Sequence, residues 1–314
     1  MIGNFSLMRA SSIIMIVGGR RIGKIEIHRV VEMVMPFDRR AFFPNNSDED
    51  WAPYRSWLEP DALDPKSDAL LFPMQSYVVR TAHHTVLIDT CIGNHKERPK
   101  RPPWHFKTDD TYLRGLASLG IGPADVDYVF CTHLHADHVG WNTRLENGRW
   151  VPTFPNARYI FSKKEFETWR DVGHSNFART PLEDSVLPIV AANRAKLVAN
   201  DFALDDQIRL EPTPGHTPDH VAIALESGGQ RAVMCGDLMH SPVQCLHPEW
   251  VPWPDWDAAL ASRTRRAFLE RYCDTPTLVC TAHFPLPSAG RIVRAGDAFR
   301  FVYDDQPWTS ARRA

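Results

Sequence analysis

Residues 131–142 read Cys131-Thr132-His133-Leu134-His135-Ala136-Asp137-His138-Val139-Gly140-Trp141-Asn142. Four side chains able to bind metal, His133, His135, Asp137 and His138, fall within six residues. The preceding run, residues 126–132, is β-branched and aromatic, the pattern of a short buried strand. This predicts a strand that stops and a loop that presents imidazoles and a carboxylate at its tip. His133 and His135 lie two apart, so an extended backbone points both to one side. Asp137 and His138 follow where the chain turns and can face a second point nearby. One ion takes three or four ligands, and so short a loop cannot bring all these side chains to one ion. The spacing suggests two ions close together, completed by residues from elsewhere. A lone histidine is more often a hydrogen-bonded core residue, but a cluster of this density is not explained that way.

The same pattern recurs further along. Residues 208–211 run into Pro212-Thr213-Pro214-Gly215-His216-Thr217-Pro218-Asp219-His220. Residues 232–235 run into Gly236-Asp237, and residues 276–280 into Thr281-Ala282-His283-Phe284-Pro285. Each is an apolar strand with a His or Asp at its lip. The candidate ring is His133, His135, Asp137, His138, His216, Asp237 and His283. The other histidines lack this context, and surface or core roles are expected for them.

The order HxHxDH, Gly-His, Gly-Asp and a late His resembles the metallo-β-lactamase fold superfamily, from about residue 22 to residue 304. The resemblance implies an α/β (α+β) fold: a four-layer αβ/βα sandwich of two mixed β-sheets, helices outside, metals at one edge. It implies that His133, His135 and His216 hold the first metal, that Asp137, His138 and His283 hold the second, and that Asp237 bridges them. It implies that Asp89, which ends the apolar run at residues 85–90, orients a ligand imidazole from behind. His220 is expected to steady the turn beside His216. The two ions are expected to be zinc, with manganese, cobalt or iron as alternatives.

Within that superfamily, GHTPDH and GDLMH are similar to the branch of acyl-homoserine lactonases, other lactonases and methyl parathion hydrolase. Two positions depart from it. Asp219 stands where the branch often has Gly. His240 stands where several lactonases carry a Tyr that polarises the substrate carbonyl, and the parathion-hydrolase side more often has His. The implied activity is hydrolysis of a carboxylic ester or lactone by a hydroxide shared between two ions about 3.5–4 Å apart. Asp137 would orient the hydroxide and move a proton, and His240 would either bond the oxyanion or support Asp237. The alternatives are an organophosphate phosphotriesterase, an iron-dependent oxygenase or redox protein, and a metal-stabilised protein without catalysis.

Composition narrows the partners. The chain has 314 residues, 43% apolar and 24% charged, with a formal charge of −2. That balance gives no electrostatic footprint for nucleic acid or for an anionic membrane. A small-molecule ester or lactone is the expected partner, with a homodimer as the expected assembly because two-fold dimers are commonest. The cysteines 91, 131, 235, 245, 273 and 280 form no CxxC pair and read as free thiols in a reducing cytoplasm. The apolar patch at residues 13–17 is too short for a signal-peptide core or a membrane span. Residues 1–21 are expected to be a tail, and residues 22–314 one domain.

Residues 22–34 alternate and predict a first strand. Residues 36–72 are Pro-rich, acidic and aromatic, and predict an irregular arm near the site. A hairpin is expected around His83-His84, and a helix over residues 110–119, stopped by Gly120. Residues 157–161 predict a strand, and Ser162 with Glu165 a capping box, with Phe166 and Trp169 on one helix face. Residues 171–200 predict a loop with His174 and Phe177, then a helical stretch around 189–198. Asp257 is expected to cap a helix, and residues 292–302 to form short strands. Trp141, Phe42, Phe43, Trp51, Trp57, Phe72 and Phe284 are candidates for an apolar wall that receives an acyl chain or an aryl group.

Overall fold

The computed structural model describes residues 17–172 and 181–304. His174 and Phe177, and most of the expected tail, lie outside the described residues. The strands form two large sheets. The first has seven strands in the order β1 (Val17–Ile22), β2 (Ile25–Asp38), β3 (Ala69–Arg80), β4 (Thr85–Ile88), β5 (Tyr128–Phe130), β8 (Arg158–Ser162) and β9 (Ala195–Val198). The second has six in sequence order: β10 (Ile208–Pro212), β11 (Val221–Ser227), β12 (Gln230–Met234), β13 (Leu278–Cys280), β14 (Ala289–Ala295) and β15 (Ala298–Tyr303). A separate hairpin joins β6 (Thr143–Glu146) to β7 (Arg149–Pro152).

Both large sheets are mixed. Pairs β4–β5, β5–β8, β8–β9 and β12–β13 are parallel, and the remaining pairs are antiparallel. The sheets face each other across an apolar layer. Ile27, Val79, Val86, Ile88 and Phe130 from one meet Leu210, Ile223, Leu225 and Met234 from the other. Each such side chain contributes about 1.5–3 kcal/mol relative to exposure. The outer face of the first sheet carries Leu87, Val129 and Phe161 against the helices Thr111–Ser118 and Lys163–Val172, through Tyr112, Leu116, Phe166 and Trp169. The outer face of the second carries Val233, Val279 and Ile292 against the helix Ala258–Tyr272, through Phe268 and Leu269. The result is the four-layer αβ/βα sandwich. Asp257 caps the last helix by accepting from the Leu260 amide. Among the described residues no helix is long and apolar enough to cross a membrane.

Several expectations change. The first strand begins at Val17, inside the stretch assigned to the tail, because β1 pairs with β2 along its length. The arm at residues 36–72 is not irregular throughout: β2 extends to Asp38, and short helical turns at Arg39–Phe42, Asp48–Trp51 and Arg55–Leu58 precede β3. Residues 195–198 are an edge strand and not helix; the helical stretch ends at Ala191. Ser162 Oγ accepts from the Glu165 amide at 3.4 Å, the Ser162 half of the expected capping box. The Glu165 carboxylate accepts from Trp169 Nε1 and the Asp219 amide, which ties this helix to the His216 turn. Cys91, Cys131, Cys235, Cys245 and Cys280 are buried free thiols, and Cys273 is partly exposed.

Candidate metal centre

The parallel pairs end at a shared edge, and their loops carry the polar residues out of the sheets. Backbone bonds fix this convergence. The Asp89 amide donates to Phe130 O, the Cys131 amide to Ile160 O, and the Cys235 amide to Cys280 O. The Val221 amide donates to Thr132 O, which joins the two sheets beside the metal loop. Gln75 Nε2 donates to Thr281 O and Ala282 O, at 3.0 and 2.8 Å, and so fixes the loop that carries His283.

Asp237 sits at the centre, buried, with its two oxygens turned to different imidazoles. Oδ1 lies 3.0 Å from His138 Nε2 and 3.1 Å from His283 Nε2. Oδ2 lies 3.4 Å from His216 Nε2 and 3.7 Å from His133 Nε2. His135 Nδ1 is 3.1 Å from His216 Nε2, which places it with the Oδ2 group. Asp137 Oδ2 is 3.7 Å from both His138 Nε2 and His283 Nε2, which places it with the Oδ1 group. His133, His135, His216 and Asp237 thus have ligand atoms close enough for one ion, and Asp137, His138 and His283 for another.

The rear nitrogens are held. His138 Nδ1 meets Asp89 Oδ2 at 2.8 Å, and Asp89 also accepts from the amide and hydroxyl of Thr132. Asp89 has φ 57°, a left-handed conformation that Asp tolerates better than most residues. His133 Nδ1 meets Thr132 Oγ1 at 3.0 Å, and His283 Nδ1 donates to Pro73 O at 3.1 Å. His216 Nδ1 meets Asp255 Oδ1 at 2.8 Å, and Arg265 holds the other Asp255 oxygen at 3.1 Å. Fixing the rear nitrogen sets the ring orientation and leaves the front nitrogen free to ligate. His220 Nε2 accepts from the Asp237 amide at 3.1 Å, and its Nδ1 meets Thr213 Oγ1 at 2.8 Å. Gly236 makes this possible: φ is 51°, and a Cβ there would stand 2.6 Å from His220 Nε2.

The electrostatics fit cations. His133 Nε2, His138 Nε2 and Asp237 Oδ1 are buried and lie within 3.0–3.7 Å of an oppositely charged or imidazole neighbour, but among the described residues none makes a hydrogen bond of good geometry. Leaving such atoms unsatisfied costs about 1–3 kcal/mol each, which a bound ion would remove. Burial pushes Asp237 up, but the imidazoles of His138, His283 and His240 outweigh it and hold the carboxyl well below its usual range. Burial pushes His216 down, and Asp237 and Asp255 more than reverse that, to about 9. Burial lowers His133 and His135 strongly, which keeps them neutral as ligation requires. Imidazole and carboxylate donors at this density suit zinc and its neighbours.

A cavity of about 670 Å³ opens above this cluster. Of the expected aromatics, Phe42 and Phe72 line it, beside Phe37, Met74, Trp104 and Trp253. The others are corrected. Trp141 is buried, stacks on Tyr112 and donates to Glu32. Phe43 and Trp51 pack with Trp250 behind the wall. Phe284 belongs to the outer core beside Phe301, and Trp57 is exposed next to Tyr54. His240 lines the cavity and places Nε2 3.1 Å from Asp237 Oδ2, its ring stacked on His283. Asp255 and Glu32 were not singled out from the sequence. Neither follows a strand end, and Asp255 lies in a Trp- and Pro-rich loop with no spacing signal.

Comparison with known proteins finds relatives of one family and one fold. The model of the metallo-beta-lactamase superfamily matches residues 71–283. An N-acyl homoserine lactonase of Bacillus cereus is 24% identical over 204 residues, covering 61% of this chain and 73% of that one. A second lactonase, from a Bacillus species, is also 24% identical, and the match spans 61% of its length. Metallo-beta-lactamase domain-containing protein 1 of Xenopus laevis is 31% identical over 158 residues, 49% of each chain. Among solved structures, the dizinc quorum-quenching lactonase AidC superposes with TM-score 0.75 at 22% identity, covering 92% of this chain and 98% of that one. The hydrolase AbOPH does so with TM-score 0.77 at 21% identity and the same coverages. At such identities the superpositions establish the fold.

Proposed function

The chain belongs to the metallo-beta-lactamase superfamily, and on that premise we propose that it is a dinuclear metal-dependent hydrolase of a carboxylic ester or lactone. The observation that carries the proposal is Asp237, whose two oxygens face two separate groups of ligand side chains. The lactonase relatives support the substrate class. Zinc is the proposed metal. When bound, such a pair supplies a water that ionises near neutral pH and a Lewis acid for the substrate oxygen.

The protein's own groups do the rest. His133, His135 and His216 would hold one ion, Asp137, His138 and His283 the other, with Asp237 between. Asp137 lines the cavity and is less enclosed than Asp237. It is placed to hold a proton taken from water and pass it to the leaving oxygen. The apolar wall of Phe42, Phe72 and Met74 excludes water and orients the acyl or aryl part. Burial pushes His240 down to about 4, so its ring is neutral. With Nε2–H donated to Asp237 it has no donor left for an oxyanion, which favours positioning of the carboxylate over direct contact with substrate. Replacing His240 with Ala should then alter kcat more than KM, and metal content little.

The test is turnover by the metal-loaded protein of acyl-homoserine lactones, aryl esters and organophosphate triesters, with metal counted on the same sample. Hydrolysis of lactones or esters with near two equivalents of zinc, manganese or cobalt is expected. Cleavage of triesters alone would move the assignment to the phosphotriesterase reading. One iron with oxygen uptake would overturn it.

A further inference from the structure

The cavity above the cluster has a second feature, carried by the segment at residues 97–101, which lines it together with Trp104. This segment lies in a loop dense in cations, and most of them are committed. Lys96 is buried and donates to Thr143 Oγ1 and Asp184 O, at 2.6 and 3.0 Å. Arg98 holds both oxygens of Asp184, at 2.7 and 3.0 Å. Lys107 bridges Glu32 and Asp109, at 2.7 and 2.9 Å. The loop is also closed on itself, with the His95 amide donating to Lys107 O and the Phe106 amide to Lys96 O.

Arg101 is different. Its guanidinium carbon lies 5.2 Å from the Phe37 ring centroid and 5.9 Å from that of Trp104. Among the described residues no carboxylate stands within 4.0 Å of it, and both rings, like Arg101 itself, line the cavity. A guanidinium held on aromatic rings keeps its N–H fork open, and that fork matches a carboxylate in two parallel bonds. The anchored loop lowers the entropy lost when such a pair forms. The reactive end of the cavity lies at Asp137, Asp237 and His283, the apolar wall is Phe37, Phe42, Phe72 and Met74, and Arg101 is at the lining loop, where the exposed Glu97 and Lys100 beside it carry opposite charges.

We infer that the cavity takes esters or lactones that carry a carboxylate remote from the bond to be cleaved, and that Arg101 selects for it. The reaction named here rests on the hydrolase reading above; the recognition rests on the cavity alone. Mono-4-nitrophenyl suberate and its methyl-capped diester share the aryl ester and differ only at the distal end, a carboxylate against a neutral methyl ester, and release of 4-nitrophenol reads the aryl ester alone. The wild type should favour the acid by about tenfold in kcat/KM, as expected for one charge-assisted pair. The preference should shrink as salt rises. Arg101→Gln should bring the ratio to about one, and Arg101→Lys should leave part of it. A wild-type ratio near one, or a ratio unchanged in Arg101→Gln, would overturn the inference. Calorimetric binding of 8-oxodecanoate, a ketone with the same distal carboxylate and no ester bond to cleave, to the metal-loaded protein reads the same contact without turnover, and Arg101→Gln should weaken it about tenfold. Binding with that dependence but no cleavage of either ester sinks the hydrolase reading and keeps the recognition. Cleavage without preference does the reverse, and neither binding nor cleavage defeats both.

Discussion

Asp237 decides the site because its two oxygens face different groups of ligands. Its replacement by Ala should lower occupancy of both ions and abolish turnover, read by metal analysis and kcat on one preparation. Full activity in that variant would remove the bridging role. Asp89 acts one bond further out, through His138 Nδ1. Asp89→Ala should weaken metal binding by about 10–100-fold, the usual effect of losing a partner behind a ligand, measured by competition with a chromophoric chelator. Gly236 is constrained twice, by φ and by His220 Nε2 at 2.6 Å from a Cβ. Gly236→Ala should cost about 1–3 kcal/mol of stability in urea unfolding, and a neutral result would contradict the packing described.

At the scale of elements, the loop at residues 94–107 is pinned to the helical turn Leu182–Val186 through Asp184. Lys96 is the buried link, and burial lowers it to about 7 although Asp184 opposes the shift. Unfolded, a lysine releases its proton near 10.4. Between about pH 7 and 10 the unfolded chain therefore binds more protons at this position, so stability rises with pH across that window. Lys96→Met should flatten the rise, seen as urea midpoints at pH 7 and pH 9; an unchanged slope would contradict the buried amine. Much at this scale was legible beforehand. The candidate ligands follow strand ends, and strand ends are marked by local alternation and by Gly or Pro. What escaped was set by partners distant in sequence. Strand β9 reads as helix until it is seen paired with β8. Strand β11 is an apolar run bracketed by Pro218-Asp219 and Gly228-Gly229, and it went unassigned because the reading stopped at the His220 loop. Trp141 looked like a cavity wall because it follows the metal loop, but Glu32, more than a hundred residues earlier, takes its indole N–H inward.

At the scale of the molecule, the two sheets share one apolar layer and one polar edge, and the edge is the weaker part. Buried imidazoles and acids without ions leave unsatisfied atoms that oppose folding. Ions that bind the folded edge and not the unfolded chain stabilise the whole sandwich. Chelation should therefore lower the Tm by roughly 5–10 °C, reversed by restoring metal, as read by calorimetry. An unchanged Tm would mean that the edge is stable without ions. The central claim is that loops from both sheets clasp a pair of cations about one carboxylate. Anomalous diffraction from crystals of the zinc-loaded protein tests it most directly. The account predicts two peaks about 3.5–4 Å apart, one between His133, His135 and His216 and one between Asp137, His138 and His283, each against an oxygen of Asp237. A single peak, or none at that edge, would contradict it.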